Sequence, residues 1–138
     1  QTFEVFIQNS CDISSESKKI HGIREVDLVD AKTTMEAIPE FLEFIGSRPL
    51  VGYYLEFDIA MINKYVKPMY GIILPNETIE VSEIYYNQKI KFIPQGNIDL
   101  RFDTILQNCK IPNMGAHNAV NDAIMTAMIY LKLKDKER

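Results

Sequence analysis

Apolar and polar residues alternate at the start of the chain, and an unbroken apolar run lies near its middle. The alternation predicts a strand over residues 1–8, and the polar stretch 9–19 predicts a loop. The apolar run at residues 49–54 predicts a second, buried strand. Residues 79–86 fit either a strand or a helix, and the turn-rich stretch 87–97 predicts a loop.

Four segments carry apolar residues at helical spacing. The first begins with Thr33 and Glu36, which form a capping box, and it should end at Gly46. Pro39 lies inside this pattern and should either bend the helix or mark a later start. The second helix should end before Pro68. It covers residues 57–66, and the other two predicted helices cover residues 102–109 and 119–133.

The order of these elements predicts the fold class. Strand and helix patterns alternate, which favours a single α/β domain over residues 1–138, with helices packed on a central sheet. The last helix carries Ala119, Ala123 and Ala127 four residues apart, a smooth ridge that predicts close packing against a neighbour. A sheet needs more strands than the two clear ones, so we expect the first strand or strands to lie upstream of Gln1.

Composition and charge narrow the classes of function. The 138-residue chain is 46% hydrophobic and 25% charged, as in ordinary globular proteins. It has no bilayer-length apolar segment and no signal peptide, so we expect no membrane partner. A net charge of −4 argues against a nonspecific nucleic-acid coating protein, but not against an enzyme whose carboxylates bind cations. Cys11 and Cys109 lack paired spacing and are interpreted as free thiols, which favours a reducing, cytoplasmic location.

Asp58 is the first candidate for chemistry. It follows the apolar run at residues 49–54 and lies at the start of the next predicted helix. A carboxylate near a helix N-terminus also has a structural explanation, because it interacts favourably with the helix dipole. Taken alone, this position favours the structural explanation.

His117 and Asp122 are the second candidate. Five helical steps rotate a side chain by about 140°, so the two would not share a helix face if both were helical. A His117 in the loop before the helix could fold back over the face that carries Asp122. The structural alternative is an exposed loop histidine. Asp122 lies between Ala119 and Ala123, and a charge on that ridge needs a partner or a metal ion.

These positions, taken in order, resemble one family. Leu50–Tyr65 is similar to the second motif of the DEDDh-type 3′→5′ exonucleases, the DnaQ-like class of proofreading subunits and ribonuclease T. Asp58 matches the metal-binding aspartate of that motif. His117 and Asp122 resemble the third motif, as general base and metal ligand. Two further segments resemble the family in the same order: Ile20–Ile23 and Asp103–Ile111.

The resemblance implies a ribonuclease H-like mixed sheet flanked by helices, and a metal-dependent hydrolase. Four carboxylates of the family hold two Mg²⁺ or Mn²⁺ ions about 3.5–4 Å apart. Asp58 and Asp122 are then expected to converge as metal ligands, with His117 as the base. The implied reaction is hydrolysis of phosphodiester bonds at a single-stranded 3′ end of DNA or RNA, and a DNA polymerase is a possible partner.

Two departures from the family pattern bear on activity. Tyr53 and Tyr54 replace the His-Asn pair of many members, which changes contacts near the substrate and makes Tyr54 a candidate substrate-binding residue. The first motif, Asp-x-Glu, is absent; the only match, Asp135 to Glu137, is interpreted as a solvated helix end. The fragment is therefore expected to be inactive by itself. One alternative is a catalytically dead exonuclease-like fold that binds nucleic acid or protein, and another is an unrelated α/β binding domain.

A further candidate surface interleaves aromatic and basic residues. Tyr85, Tyr86, Lys89 and Lys91 could stack on bases and hold the backbone of a single strand. Exposed residues of a hairpin or sheet edge show the same pattern, so this interpretation stays open. His21 is interpreted as structural, because it belongs to the segment that positions the following helix.

Overall fold

The computed structural model describes residues 1–8, 14–115 and 117–135. These residues form six α-helices, one 3₁₀ turn and two short strands. In chain order the elements are α1 (Ser15–His21), the 3₁₀ turn (Glu25–Leu28), α2 (Thr34–Ile45), β1 (Leu50–Gly52), α3 (Leu55–Tyr70), β2 (Thr78–Glu80), α4 (Val81–Ile90), α5 (Phe102–Cys109) and α6 (Ala119–Asp135). No described helix combines the length and the apolar character needed to cross a bilayer.

The chain divides into two compact units. The first comprises Gln1–Arg48 and Ile59–Asn76, and the second Pro49–Asp58 and Glu77–Arg138. Asp58, His117 and Asp122 all belong to the second unit. The single domain expected from the sequence stays a prediction.

The first unit corrects the prediction for the start of the chain. Residues 1–8 contribute one isolated parallel bridge, Ile7 to Lys32, instead of a strand. Its hydrogen bonds are Gln8 N–H to the Lys32 carbonyl at 2.8 Å and Lys32 N–H to the Phe6 carbonyl at 3.1 Å. An alternating sequence needs a longer partner to build a ladder, and residues 14–115 and 117–135 offer it only Lys32.

The predicted loop over residues 9–19 is wrong in its second half. Ser14 caps α1, because its hydroxyl accepts the Ser17 N–H at 3.1 Å. Ser15, Glu16 and Lys19 are exposed helix positions, and Ser17 and Lys18 are partly buried ones. Residues 9–13 lie outside the described part of the chain, and with them Cys11.

Helix α2 begins where the capping box predicts. Glu36 Oε2 accepts the Thr33 N–H at 2.9 Å, and Gly46 is the C-cap. The helix continues through Pro39, so the later start is wrong. Helix α3 likewise runs through Pro68 and ends at Tyr70, beyond the predicted end. Each proline removes one helical hydrogen bond and crowds the preceding turn, and both helices continue on their remaining bonds.

The second unit is built on a parallel pair of strands. β1 and β2 pair with Leu50 opposite Thr78 and Gly52 opposite Glu80. Because the strands are parallel, their carboxyl ends meet at one edge, and a helix follows each strand there. The α/β class is confirmed. The ambiguous segment 79–86 divides at Glu80 into strand and helix, and α4 extends into residues predicted as loop.

Helices α4, α5 and α6 enclose the core of this unit, and α6 also packs against β1. The buried residues of this core are Val81, Tyr85, Ile105, Leu106, Cys109, Ile111, Met125, Ile129 and Leu133. The alanine ridge prediction is wrong, since Ala119, Ala123 and Ala127 are exposed. The larger side chains on the other side of α6 fill the core instead.

Candidate functional site

Asp58 lies one helical turn beyond the sharp connection between β1 and α3. Only two residues separate Gly52, the end of β1, from Leu55, the start of α3. A Cβ at Gly52 would come within 2.6 Å of Leu55 Cδ1, so the turn requires glycine here. Tyr53 fixes the same turn, because its hydroxyl donates to the Leu100 carbonyl at 2.9 Å. Gly52 and the Tyr53 side chain thus fix the turn that leads to Asp58.

Tyr54 has an unusual conformation in this connection. Its φ is +51°, in the left-handed region that bulky residues rarely adopt. Its side chain is 61% exposed, and its ring centroid lies 4.6 Å from that of Tyr53 in an edge-to-face arrangement. Its carbonyl accepts the Phe57 N–H at 3.1 Å. An aromatic ring is therefore presented to solvent beside the first turn of α3, at a cost in backbone strain.

Glu80 joins the two helix starts. Its Oε2 accepts the Leu55 N–H at 2.9 Å, and its Oε1 accepts the Ser82 N–H at 3.1 Å and the Ser82 hydroxyl at 2.6 Å. No sequence motif pointed to Glu80. An available signal was an acidic residue at the end of a strand-like stretch directly before a helical one, the same local setting as Asp58.

The electrostatics of Asp58 differ from those of an ordinary surface acid. Loss of solvent around its carboxylate raises the pKa, and the negative charge of Glu80 raises it further, against a lowering by a hydrogen bond from its own backbone. Within the described chain, neither Asp58 nor Asp122 takes part in an ion pair. The ion pairs there are Lys18–Glu25, Arg24–Asp27, Lys32–Glu40 and Arg101–Asp99.

Asp122 extends the buried stripe of α6 toward the N-terminus of the helix. Met125, Ile129 and Leu133 are at most 1% exposed, and Asp122 precedes Met125 by three positions, on the same side of the helix. The carboxylate is partly buried. A charge at the end of a core-facing stripe is costly unless a partner or a cation offsets it.

His117 lies in the loop directly before α6, as predicted. Asn118 begins the helix: its side chain accepts the Asn121 N–H at 3.0 Å and its carbonyl accepts the Asp122 N–H at 2.9 Å. His117 is exposed and has a φ of +67°. The turn therefore reverses the chain just before the helix that carries Asp122.

These residues match a metal site in chemistry but supply only part of one. Carboxylate oxygens without an ion pair suit hard divalent cations. Among residues 1–8, 14–115 and 117–135, however, no three His, Cys, Asp or Glu side chains are grouped closely enough to hold one ion. The assignment of Asp58 and Asp122 as metal ligands, and their convergence, stays a prediction.

The predicted aromatic and basic surface needs a correction. Tyr85 is 4% exposed and packs in the core, so it cannot stack on a base. Lys89 lies over the Tyr85 ring, with Nζ 5.5 Å from the centroid, because the two are one helical turn apart on α4. Tyr86 and Lys91 are exposed and remain candidates. The interleaved pattern is a product of helical spacing and does not form one continuous strip.

The structure also shows the surroundings of His21 and Asp135, which were interpreted as structural and as part of a solvated helix end. His21 Nδ1 accepts the Ile23 N–H at 3.0 Å, a local bond that agrees with a structural role. Asp135 is an exposed residue in the last turn of α6. The other two members of its Asp-x-Glu match, Lys136 and Glu137, lie outside the described residues.

Comparison with known proteins assigns the chain to the same family. A family model described as Exonuclease matches residues 1–130. The chain is 32% identical over 136 residues to the DNA polymerase III subunit epsilon of Aquifex aeolicus, covering 99% of this chain and 65% of that protein. The parallel strands and their helices are consistent with the ribonuclease H-like fold that the sequence resemblance implied.

A second group of relatives is much longer. The chain is 33% identical over 138 residues to the DNA polymerase III PolC-type of Caldanaerobacter subterraneus subsp. tengcongensis, covering 98% of this chain and 9% of that protein. The DNA polymerase III subunit epsilon of Rickettsia conorii, which belongs with the shorter relatives, is 26% identical over 140 residues, covering 96% of this chain and 58% of that protein. This chain therefore spans less than two thirds of the length of these relatives.

Proposed function

This chain belongs to the exonuclease family, and on that premise we propose that it carries part of the active site of a metal-dependent 3′→5′ exonuclease. The observation that carries the proposal is the setting of Asp58. A two-residue turn presents this carboxylate at the strand edge, next to the charge of Glu80 and without an ion pair. Such an arrangement lowers the stability of the ionised group unless a cation binds, which is typical of a functional acid.

Asp58 and Asp122 would hold divalent cations together with ligands from outside the described residues or from water. When bound, Mg²⁺ or Mn²⁺ would activate the attacking water and stabilise the departing oxygen. His117 would accept the proton of the attacking water, because an imidazole is the usual general base and this one lies exposed in the loop directly before the helix that carries Asp122. The exposed loop position of His117 supports proton exchange with solvent after each turnover.

The substrate of the proposed reaction is a single-stranded 3′ end. Tyr54 would stack on the terminal base, since its ring is exposed beside the turn that leads to Asp58. Tyr86 and Lys91 are further candidates for contacts with the strand. The names of the relatives support DNA as the substrate and a DNA polymerase as the partner.

The test uses the full-length product of the gene that encodes this chain. A 5′-labelled single-stranded oligonucleotide and Mn²⁺ should give a ladder of products shortened from the 3′ end. His117→Ala should lower the rate by about 10²–10⁴-fold while Mn²⁺ binding persists. Asp58→Ala and Asp122→Ala should lower both Mn²⁺ affinity and rate, because each removes a ligand. Glu83→Gln, an exposed acid on α4, is the matched control.

Two results would overturn parts of the proposal. Wild-type cleavage by the His117→Ala protein would make His117 an ordinary surface residue. Oligonucleotide binding without any cleavage would favour the alternative of a catalytically dead binding module. That alternative has one observation in its favour, namely that the described residues alone do not group three metal ligands.

A further inference from the structure

Glu80 lies where both strands of the second unit end. It is paired in register with Gly52, and the start of α3 follows three residues after Gly52. Its two carboxylate oxygens contact different helices: Oε2 accepts the Leu55 N–H, and Oε1 accepts the N–H and hydroxyl of Ser82. We propose that Glu80 is a positioning residue, which holds the first turn of α3 and thereby sets the place of Asp58. This inference rests on the proposed exonuclease function.

The geometry explains why a carboxylate is needed at this position. The backbone N–H groups of a helix start have no partner within the helix, and those of Leu55 and Ser82 both meet Glu80. One oxygen serves each helix at 2.9 Å and 3.1 Å. A glutamine has one acceptor oxygen and one donor nitrogen, so it can satisfy only one of the two helices. Charged acceptors also make stronger hydrogen bonds than neutral ones.

The bond to Leu55 is the part that reaches Asp58. Leu55 is the first residue of α3, and Asp58 follows three residues later within the same turn. The helix geometry is fixed by rise and rotation, so a shift of the Leu55 amide moves the Asp58 carboxylate with it. The close approach of Leu55 to Gly52 leaves this turn no spare room. Glu80 thus acts on the proposed site through Asp58 and need not contact substrate.

The experiment compares Glu80→Gln with Glu83→Gln in the full-length protein. Supporting groups around metal ligands change affinity or activity by about 10–100-fold when removed. Glu80→Gln should therefore lower kcat by about 10–100-fold and weaken Mn²⁺ binding measured by calorimetry, with the KM for a single-stranded oligonucleotide unchanged. Glu83→Gln should match wild type in all three. Glu80→Asp retains the charge and both oxygens, and it should retain more kcat and Mn²⁺ affinity than Glu80→Gln.

Ser82→Ala distinguishes the effect of Glu80 on α4 from its effect on α3. It removes the hydroxyl bond on the α4 side and leaves the Leu55 bond, so it should lower the unfolding temperature while changing kcat far less than Glu80→Gln. Amide hydrogen exchange in the wild type gives a reading that needs no variant to fold. The Leu55 amide should exchange more slowly than the neighbouring Glu56 amide, which has no side-chain acceptor among the described residues.

The outcomes distinguish the inference from the function on which it rests. Retained cleavage by Asp58→Ala would end the proposed function itself. Loss of cleavage in Asp58→Ala, together with wild-type kcat and Mn²⁺ affinity in Glu80→Gln, would end only the role of Glu80. A fast Leu55 amide, or equal kcat losses in Ser82→Ala and Glu80→Gln, would also overturn it. In the last case Glu80 would only support the fold.

Discussion

Two aspartates in the second unit lie near helix starts and have opposite surroundings. Asp99, just before α5, accepts hydrogen bonds from the Arg101 backbone at 3.0 Å, the Arg101 guanidinium at 2.6–3.0 Å and the Thr104 hydroxyl at 2.8 Å. These bonds, above all that of the Arg101 side chain, hold its pKa well below the usual range. Asp58, in the first turn of α3, has a raised pKa, because its carboxylate loses solvent and, to a smaller extent, because the negative charge of Glu80 is near.

The comparison teaches how to separate structural from functional acids. Both aspartates suit the helix dipole, so position alone assigns them the same structural role. The partners differ. Hydrogen bonds from Arg101 and Thr104 stabilise the ionised form of Asp99. Loss of solvent and the charge of Glu80 destabilise the ionised form of Asp58. A carboxylate that the fold makes less stable when ionised is expected to have a ligand that offsets this cost. Asp58 is therefore the candidate ligand, and Asp99 is the internal control.

The largest expected difference between the two is in catalysis. Asp58→Asn should lower the exonuclease rate of the full-length protein by at least about 100-fold, beyond the usual effect of a supporting residue. Asp99→Asn should change the rate far less, since the partners of Asp99, Arg101 and Thr104, lie at the start of α5. Initial rates on a 5′-labelled oligonucleotide at saturating Mn²⁺ measure both. Equal losses in the two variants would mean that both aspartates act only through stability.

A second effect concerns Tyr54, which has no counterpart near Asp99. Replacement by Gly or Ala removes the exposed ring, so both variants should bind a single-stranded oligonucleotide more weakly. Stacking on an aromatic side chain is worth about 1–3 kcal/mol per base. The Gly variant should be more stable than the Ala variant by about 1 kcal/mol, because only glycine adopts positive φ without strain. Unchanged binding in both would remove Tyr54 from the substrate site.

The smallest effect is the pH dependence of stability, and its sign is opposite at the two positions. The lowered pKa of Asp99 contributes stability that is present above its unfolded pKa of about 3.9 and is lost as pH falls toward the folded value. The raised pKa of Asp58 gives a penalty that is absent below about pH 3.9 and complete above the folded pKa. At pH 7, Asp99→Asn should therefore lower the urea midpoint and Asp58→Asn should raise it slightly.

Both differences in urea midpoint should shrink as pH falls toward 3, and the Asp58→Asn difference should disappear first. If Asp58→Asn instead destabilised the protein at pH 7, the carboxylate would be a structural one like Asp99. That outcome would contradict the distinction between the two acids.

A motif that is complete within a few residues predicted the local structure correctly, whereas contacts between distant segments were not predictable. The capping box of Thr33 and Glu36 is complete within four residues, so its sequence identified the start of α2. The role of Glu80 depends on Leu55, which is 25 positions away, and no periodicity reveals such a bond. The alanine spacing in α6 was misleading because burial followed the larger side chains on the opposite face.

The candidate site was predicted in the same uneven way. The loop position of His117 follows from residues next to it, and Asp58 was placed correctly at a strand-to-helix junction. Tyr85 was misassigned because an aromatic and basic alternation was read without its helical geometry, which turns Tyr85 into the core. The electrostatic difference between Asp58 and Asp99 depends on neighbours such as Glu80 and Thr104, and it requires the structure.

Asp58 and Asp122 are proposed to hold the same divalent cations. Titration of the isotope-labelled protein with Mn²⁺, followed by paramagnetic broadening of backbone amide signals, tests this claim directly and detects weak binding. The amides of Asp58 and Asp122 should broaden together at the lowest Mn²⁺ concentrations, before that of Asp99. Broadening of Asp58 and Asp122 at clearly different concentrations, or of Asp99 before either, would contradict the account.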